Sequence, residues 1–113
     1  MKIKYSELID SIGSTLQKAR ENAIKAVNRL LELSQSNALS IKLVAIEALG
    51  RTNNIKVVDR LKYLSMDHTL AIKMVAINSL GHFDDVKAVD HLLSLALSNN
   101  QDVKIAAIKA LGT

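Results

Sequence analysis

The chain of 113 residues contains no cysteine and no proline. The missing cysteine excludes disulfides, thiolate metal sites and a cysteine nucleophile, and a reducing cytoplasm is the expected location. Aromatic residues are nearly absent as well: Tyr5, Tyr63 and Phe83 are all there are. A core so poor in rings must be filled by Ile, Leu, Val and Ala, which suits closely packed helices and argues against a β-sandwich. No apolar run approaches the roughly 20 residues that span a bilayer. Lys2 and Lys4 are followed by Tyr5, Ser6, Glu7 and Asp10 rather than by the apolar stretch of a signal peptide. The net charge of +4 is spread along the chain and forms no basic tail.

What the chain does have is a repeat. The segment Ile41-Lys42-Leu43-Val44-Ala45-Ile46-Glu47-Ala48-Leu49-Gly50 returns as 72–81 and again as 103–112, which puts glycines at 50, 81 and 112, a period of 31 residues. A second block keeps the same register: Ile24, Val27, Leu30 and Leu33 correspond to Ile55, Val58, Leu61 and Leu64, and then to Val86, Val89, Leu92 and Leu95. Its apolar residues form one helical stripe, with Lys56, Asp59, Arg60 and Lys62 on the other side. Each unit therefore reads as helix A, a short turn, helix B and a loop of about four residues. The closing glycine is expected as a left-handed residue that ends helix B. Ser40 and Asp102 are the expected N-caps of their helices, and Ala71 is a poor one. Such short helices are marginal alone and become stable by stacking.

These blocks resemble the short HEAT-like repeats of phycobilin lyase subunits and their relatives. Ile41-Lys42, Ile72-Lys73 and Val103-Lys104 stand where that family has Val-Arg, and Ala48-Leu49-Gly50, Ser79-Leu80-Gly81 and Ala110-Leu111-Gly112 stand at its Ala-Leu-Gly close. Lys replaces Arg throughout, the loop Asp survives as Asp67 and Asp102, and the family's proline near helix A is missing. The resemblance implies an all-α, right-handed α-α superhelix of the HEAT/armadillo type. Three helix pairs at 20–50, 51–81 and 82–112 would form one domain, 20–113, behind an N-terminal capping helix at 1–19. It also allows an accessory role beside an enzyme such as a lyase. The Trp/Tyr and Thr-Pro-Leu-His signatures of other repeats with nearby periods are absent.

The ends differ in their expected treatment. Tyr5, Leu8, Ile9, Ile12 and Leu16 form a stripe that should cover the first repeat. The chain stops at Thr113 while the third repeat still carries Leu93, Leu97, Ile105, Ile108 and Leu111. That apolar end is expected to pair with its own copy as a homodimer, to dock a partner, or to continue into further residues.

Helix B offers the candidate binding surface. With Ile72, Ala76, Ser79 and Leu80 facing the core, a concave row forms from Leu43, Met74 and Ile105, flanked by Ile46, Ile77 and Ile108 and edged by Glu47, Asn78 and Lys109. Such a row either forms an apolar groove that takes a protein helix or peptide, or is covered on both sides by neighbouring helices. Lys42, Lys73 and Lys104 make one basic ladder and Lys25, Lys56 and Lys87 another, the pattern a phosphate backbone would use. Pairing of Lys56 with Asp59 and of Lys87 with Asp90 is the plainer reading, and stacking aromatics are scarce. His68, His82 and His91 match no metal-ligand spacing, even with Asp84 and Asp85 near His82. No phosphate loop, nucleophile elbow or Ser/His/Asp set is present. The expectation is a non-catalytic interaction scaffold, with neither metal nor cofactor.

Overall fold

One polar device launches every helix B. Ser36, Asp67 and Ser98 lie 31 residues apart. Each side chain accepts a hydrogen bond from the backbone N–H two residues on, at Ala38 (3.1 Å), Thr69 (2.8 Å) and Asn100 (3.1 Å). Such turns hold the chain extended just before a helix begins. The computed structural model describes residues 5–113. In it these turns start α2 (Leu39–Leu49), α4 (Leu70–Leu80) and α6 (Gln101–Leu111). The N-caps are therefore Ala38, Thr69 and Asn100, and only Asn100 caps through its side chain, accepting from the Val103 N–H at 3.2 Å. Ser40, Ala71 and Asp102 sit inside the first turn rather than at the cap. The shared turn supplies the local bond that a capping side chain would otherwise give, so sequence alone misplaced the helix start. Asn54 and Asp85 do the equivalent work for helix A, accepting from the Lys56 and Lys87 N–H groups at 3.0 and 3.1 Å. From Asn54 a 3-10 turn, Ile55–Val57, runs into α3 (Val58–Leu64), and from Asp85 the chain enters α5 (Val86–Leu95).

The first helix departs from the expected division at residue 19. α1 runs unbroken from Tyr5 to Leu33; the first four residues of the expected capping segment lie outside the described ones. The reason lies in two substitutions within the repeat register. Ala19 stands where Gly50 and Gly81 stand, and Ala23 stands where Asn54 and Asp85 begin helix A. Alanine is the strongest helix former and offers no cap, so the helix continues. Nor does the stripe cover the first repeat. Residues 6–26 are all exposed, and Leu8, Ile9, Ile12 and Leu16 keep between 48% and 66% of their surface in solvent. The arm gives the chain a radius of gyration of 18.3 Å and a longest extent of 69 Å, against about 13 Å for the radius of a compact domain of this length.

The remaining helices pair as α1 with α2, α3 with α4 and α5 with α6, and α2 lies along α4 as α4 lies along α6. α3 meets α5 only sparingly, so the helix-B layer carries the stacking. The core between layers is aliphatic: Ile46, Leu49, Leu61, Ile77, Leu80 and Leu92, with Phe83 its one ring among the described residues. The close approach has a glycine at its centre. A Cβ on Gly50 would lie 2.7 Å from the Ser79 Cβ and 2.9 Å from its Cα, and one on Gly81 would lie 2.9 Å from the Ala110 carbonyl oxygen. Gly50 and Gly81 are right-handed, with φ of −63° and −64°, and among the described residues the only positive φ outside glycine is at Asn53, 53°. The expected left-handed glycine is therefore corrected: here the residue gives room for the next helix, not for an unusual backbone.

Polar bonds also cross between repeats. The Ser79 hydroxyl donates to the Ile46 carbonyl at 3.2 Å from a fully buried position. Ser34 and Ser65, one repeat apart, each donate to a carbonyl three residues back, at Leu31 and Lys62 (both 2.6 Å). Each then accepts from the next repeat. Arg60 reaches Ser34 through Nε to Oγ and Nη2 to the carbonyl, both at 3.3 Å, and His91 Nε2 lies 2.7 Å from Ser65 Oγ. With the Ser65 proton committed to Lys62, the imidazole N–H is the donor. Arg60 also lies 5.2 Å from the centre of the Tyr63 ring, within cation–π range.

This packing makes two outcomes measurable. Gly50→Ala should lower stability by about 1–3 kcal/mol, the cost of overfilling a packed contact. Gly112→Ala, whose new Cβ meets nothing within 3.4 Å, should change it by less than about 0.5 kcal/mol. Denaturant unfolding measures both, and equal losses would refute the close-approach reading. The second outcome concerns pH. Burial, and then the Lys62 charge, hold the His91 pKa below the ordinary histidine value. Below that ordinary value the unfolded chain takes up a proton that the folded chain resists. Stability present at neutral pH is thus lost as pH falls through the histidine range toward the depressed value. The Thr69 backbone N–H, with Lys42 helping, lowers the Asp67 pKa, so its contribution is lost only further down, in the carboxylate range. Between about pH 8 and about pH 5 the Tm should drop, and less so in His91→Gln, which keeps an amide donor for Ser65. Identical drops would exclude His91 as the source.

Candidate protein-binding surface

Helix B has one face in the core and one outside. Ile72, Ala76, Ser79 and Leu80 are all buried, as the periodicity required. On the outer side, Leu43 and Met74 are half-buried, Ile105 is exposed, and Glu47, Asn78 and Lys109 are exposed. The flanking row is corrected. Ile46 and Ile77 are wholly buried, while Ile108 at the same position is 54% exposed. The next helix pair covers the first two, and no described pair comes after the third. These isoleucines are thus stacking residues, and only at the end of the stack does the position reach solvent.

Between α4 and α6 the outer row opens into a shallow groove of about 380 Å³ lined by Leu70, Met74, Asp102, Ile105, Ala106 and Lys109. A smaller one, about 200 Å³, lies over Val44, Glu47, Ala48 and Arg51. Its edge is ordered by the Glu47–Arg51 ion pair, 3.0 Å between Oε1 and Nη2 and exposed on both sides, a contact worth little to stability. The surface thus pairs an apolar floor with charges of both signs.

The basic ladder is uneven. Lys42 and Lys73 are half-buried and Lys104 is exposed, and the Lys42 charge acts on Asp67. The second ladder, Lys25, Lys56 and Lys87, is exposed. His91 is engaged with Ser65, and His82 lies in a separate C-terminal groove of about 440 Å³ with Phe83, Asp84, Val89, Leu111 and Thr113. The Thr113 hydroxyl closes that groove's edge, with its one proton shared between the Ala110 carbonyl at 2.7 Å and the Gly81 carbonyl at 2.9 Å. Among the described residues, no three His, Cys, Asp or Glu side chains are placed to hold a metal ion, and no helix is long and apolar enough to cross a membrane.

Sequence reasoning missed a further surface. Leu30, Leu33, Ile41, Val44, Ala45 and Ala48 line an almost wholly apolar groove of about 330 Å³ between α1 and α2. It is the face a preceding repeat would cover. Ala19 and Ala23, which keep α1 straight and so leave this face open, were the available signal.

No curated protein matches the chain. A family model for HEAT repeats matches residues 27–112. That match takes in the end of α1 and every helix after it, the part of the chain in which the layered stacking occurs. This all-helical chain therefore belongs to the HEAT-repeat family.

Proposed function

We propose that the protein is a non-catalytic scaffold whose helix-B surface holds a helix or peptide of a protein partner. HEAT repeats generally serve as protein-interaction scaffolds. The observation that carries the reading here is the groove along Met74 and Ile105, apolar at its floor and edged by Asp102 and Lys109. An amphipathic helix suits such a site, with apolar anchors on the floor and either charge at the rim. The stacking supports a concave site. Helix-B elements pack closely while α3 and α5 barely meet, and the tighter layer lies on the inside of a curved stack. On this reading the chain is a right-handed superhelix of three units, 20–50, 51–81 and 82–112, whose helix-B starts recur every 31 residues. A cysteine-free chain suits the cytoplasm. The first lysine ladder supports nucleic-acid binding less well, because Lys42 and Lys73 are half-buried.

Ile105→Glu places a charge on the groove floor at a position 44% exposed, so folding should survive. Partners captured by the wild-type chain should bind the variant at least about tenfold more weakly, the scale of a lost anchor residue, with the Tm unchanged. Equal capture by both would exclude the groove. Loss of capture in Lys104→Ala and at raised salt, but not in Ile105→Glu, would favour the nucleic-acid alternative.

A further inference from the structure

The exposed surface of 8029 Å² exceeds the roughly 6,100 Å² expected of a compact protein of this mass by about 1,900 Å². A stable interface needs only about 800 Å² per partner. Leu8, Ile9, Ile12, Leu16 and Ile24 of α1 are among the chain's exposed large apolar side chains. From Ile9 the small and apolar residues recur at alternating steps of three and four: Ile12, Leu16, Ala19, Ala23, Ala26, Leu30 and Leu33. This is an uninterrupted heptad seam. Its first part is solvent-exposed, and its last two residues line the open groove over Ile41, Val44 and Ala48. Seam and groove are therefore one continuous surface.

The seam is complementary to itself when reversed. An antiparallel pair brings a and d positions opposite one another. With the twofold axis beside residue 21, Ile9 meets Leu33 of the second copy and Ile12 meets its Leu30. Leu16 meets Ala26, a large residue against a small one, and at the axis Ala19 meets Ala23, where two helices can come closest. Charge favours the same direction. In this register residues 5–16, with Glu7 and Asp10 and no cation, face residues 26–37, whose charges Arg29 and Glu32 balance each other, whereas parallel pairing sets Glu7 and Asp10 against their own copies. Gly13 stands beside the seam with open space around it, a poor helix former at a place where nothing within the chain requires one.

We propose that α1 pairs with α1 of a second copy of this chain as an antiparallel coiled coil, so that the arm of each copy fills the α1–α2 groove of the other. The interface is isologous and closed. It uses the opposite end of the stack from Leu97 and Ile108, and it leaves the α4–α6 groove along Met74 and Ile105 free.

Sedimentation velocity of the full chain at tens of micromolar should give twice the 12.3 kDa chain mass. Ile12→Glu, at a position 53% exposed, should give a monomer whose circular dichroism still shows the folded repeats. Leu97→Glu should remain dimeric. The absence of native cysteine makes the direction testable. Ile9→Cys chains mixed with Leu33→Cys chains should form a disulfide-linked pair, and Ile9→Cys chains alone should not. A monomeric wild-type chain would overturn the proposal. So would a dimer that survives Ile12→Glu but dissociates in Leu97→Glu, which would place the contact at the C-terminal end. Self-linked Ile9→Cys would overturn the antiparallel arrangement.

Discussion

The stack depends on how closely the helix-B elements approach one another. At the end of α2 the Gly50 backbone lies against the Cα and Cβ of Ser79, with no room for a side chain. The same contact recurs where Gly81 meets Ala110. Close helix packing brings aliphatic side chains into each other's gaps, and density rather than ring area then supplies the cohesion. This explains how a core with almost no aromatics holds together. It also explains why Ser79, small enough for the contact, is tolerated when fully buried: its hydroxyl reaches the Ile46 carbonyl, so no polar group is left unpaired.

Around that contact the repeats are tied by bonds that change chemistry while keeping position. Ser34 receives a guanidinium from Arg60, and Ser65 receives an imidazole from His91. Both donors come from the same register position of the next helix A. Burial lowers the His91 pKa, so the imidazole gives the second junction a sensitivity to pH.

A stack has two ends, and the described residues cover neither. Position 108 shows the consequence most directly: the same isoleucine is buried in two repeats and half-exposed in the third. At the other end the groove over Ile41 and Val44 is open because α1 continues straight past it. An apolar end of a solenoid stack needs burial, and at the α1–α2 end the proposed pairing of α1 supplies it.

The sequence by itself determined the repeat, its register, the helical nature of each unit and the residues of the middle core, because periodic burial leaves a periodic pattern. Of the outer row expected from the sequence, Ile105 is exposed, while Leu43 and Met74 are half-buried and packed against the core. Tertiary structure decided whatever depends on neighbours. Whether Ile46 and Ile108 are buried or exposed is set by the presence or absence of a next helix pair in the stack, and their local sequence is nearly the same. The role of the glycines was decided there too, since only the approach of the next helix shows that space is needed and not a left-handed backbone. Residue 19 was marked as a boundary by register alone. Local helix preference at Ala19 and Ala23 overrode that register and carried α1 through.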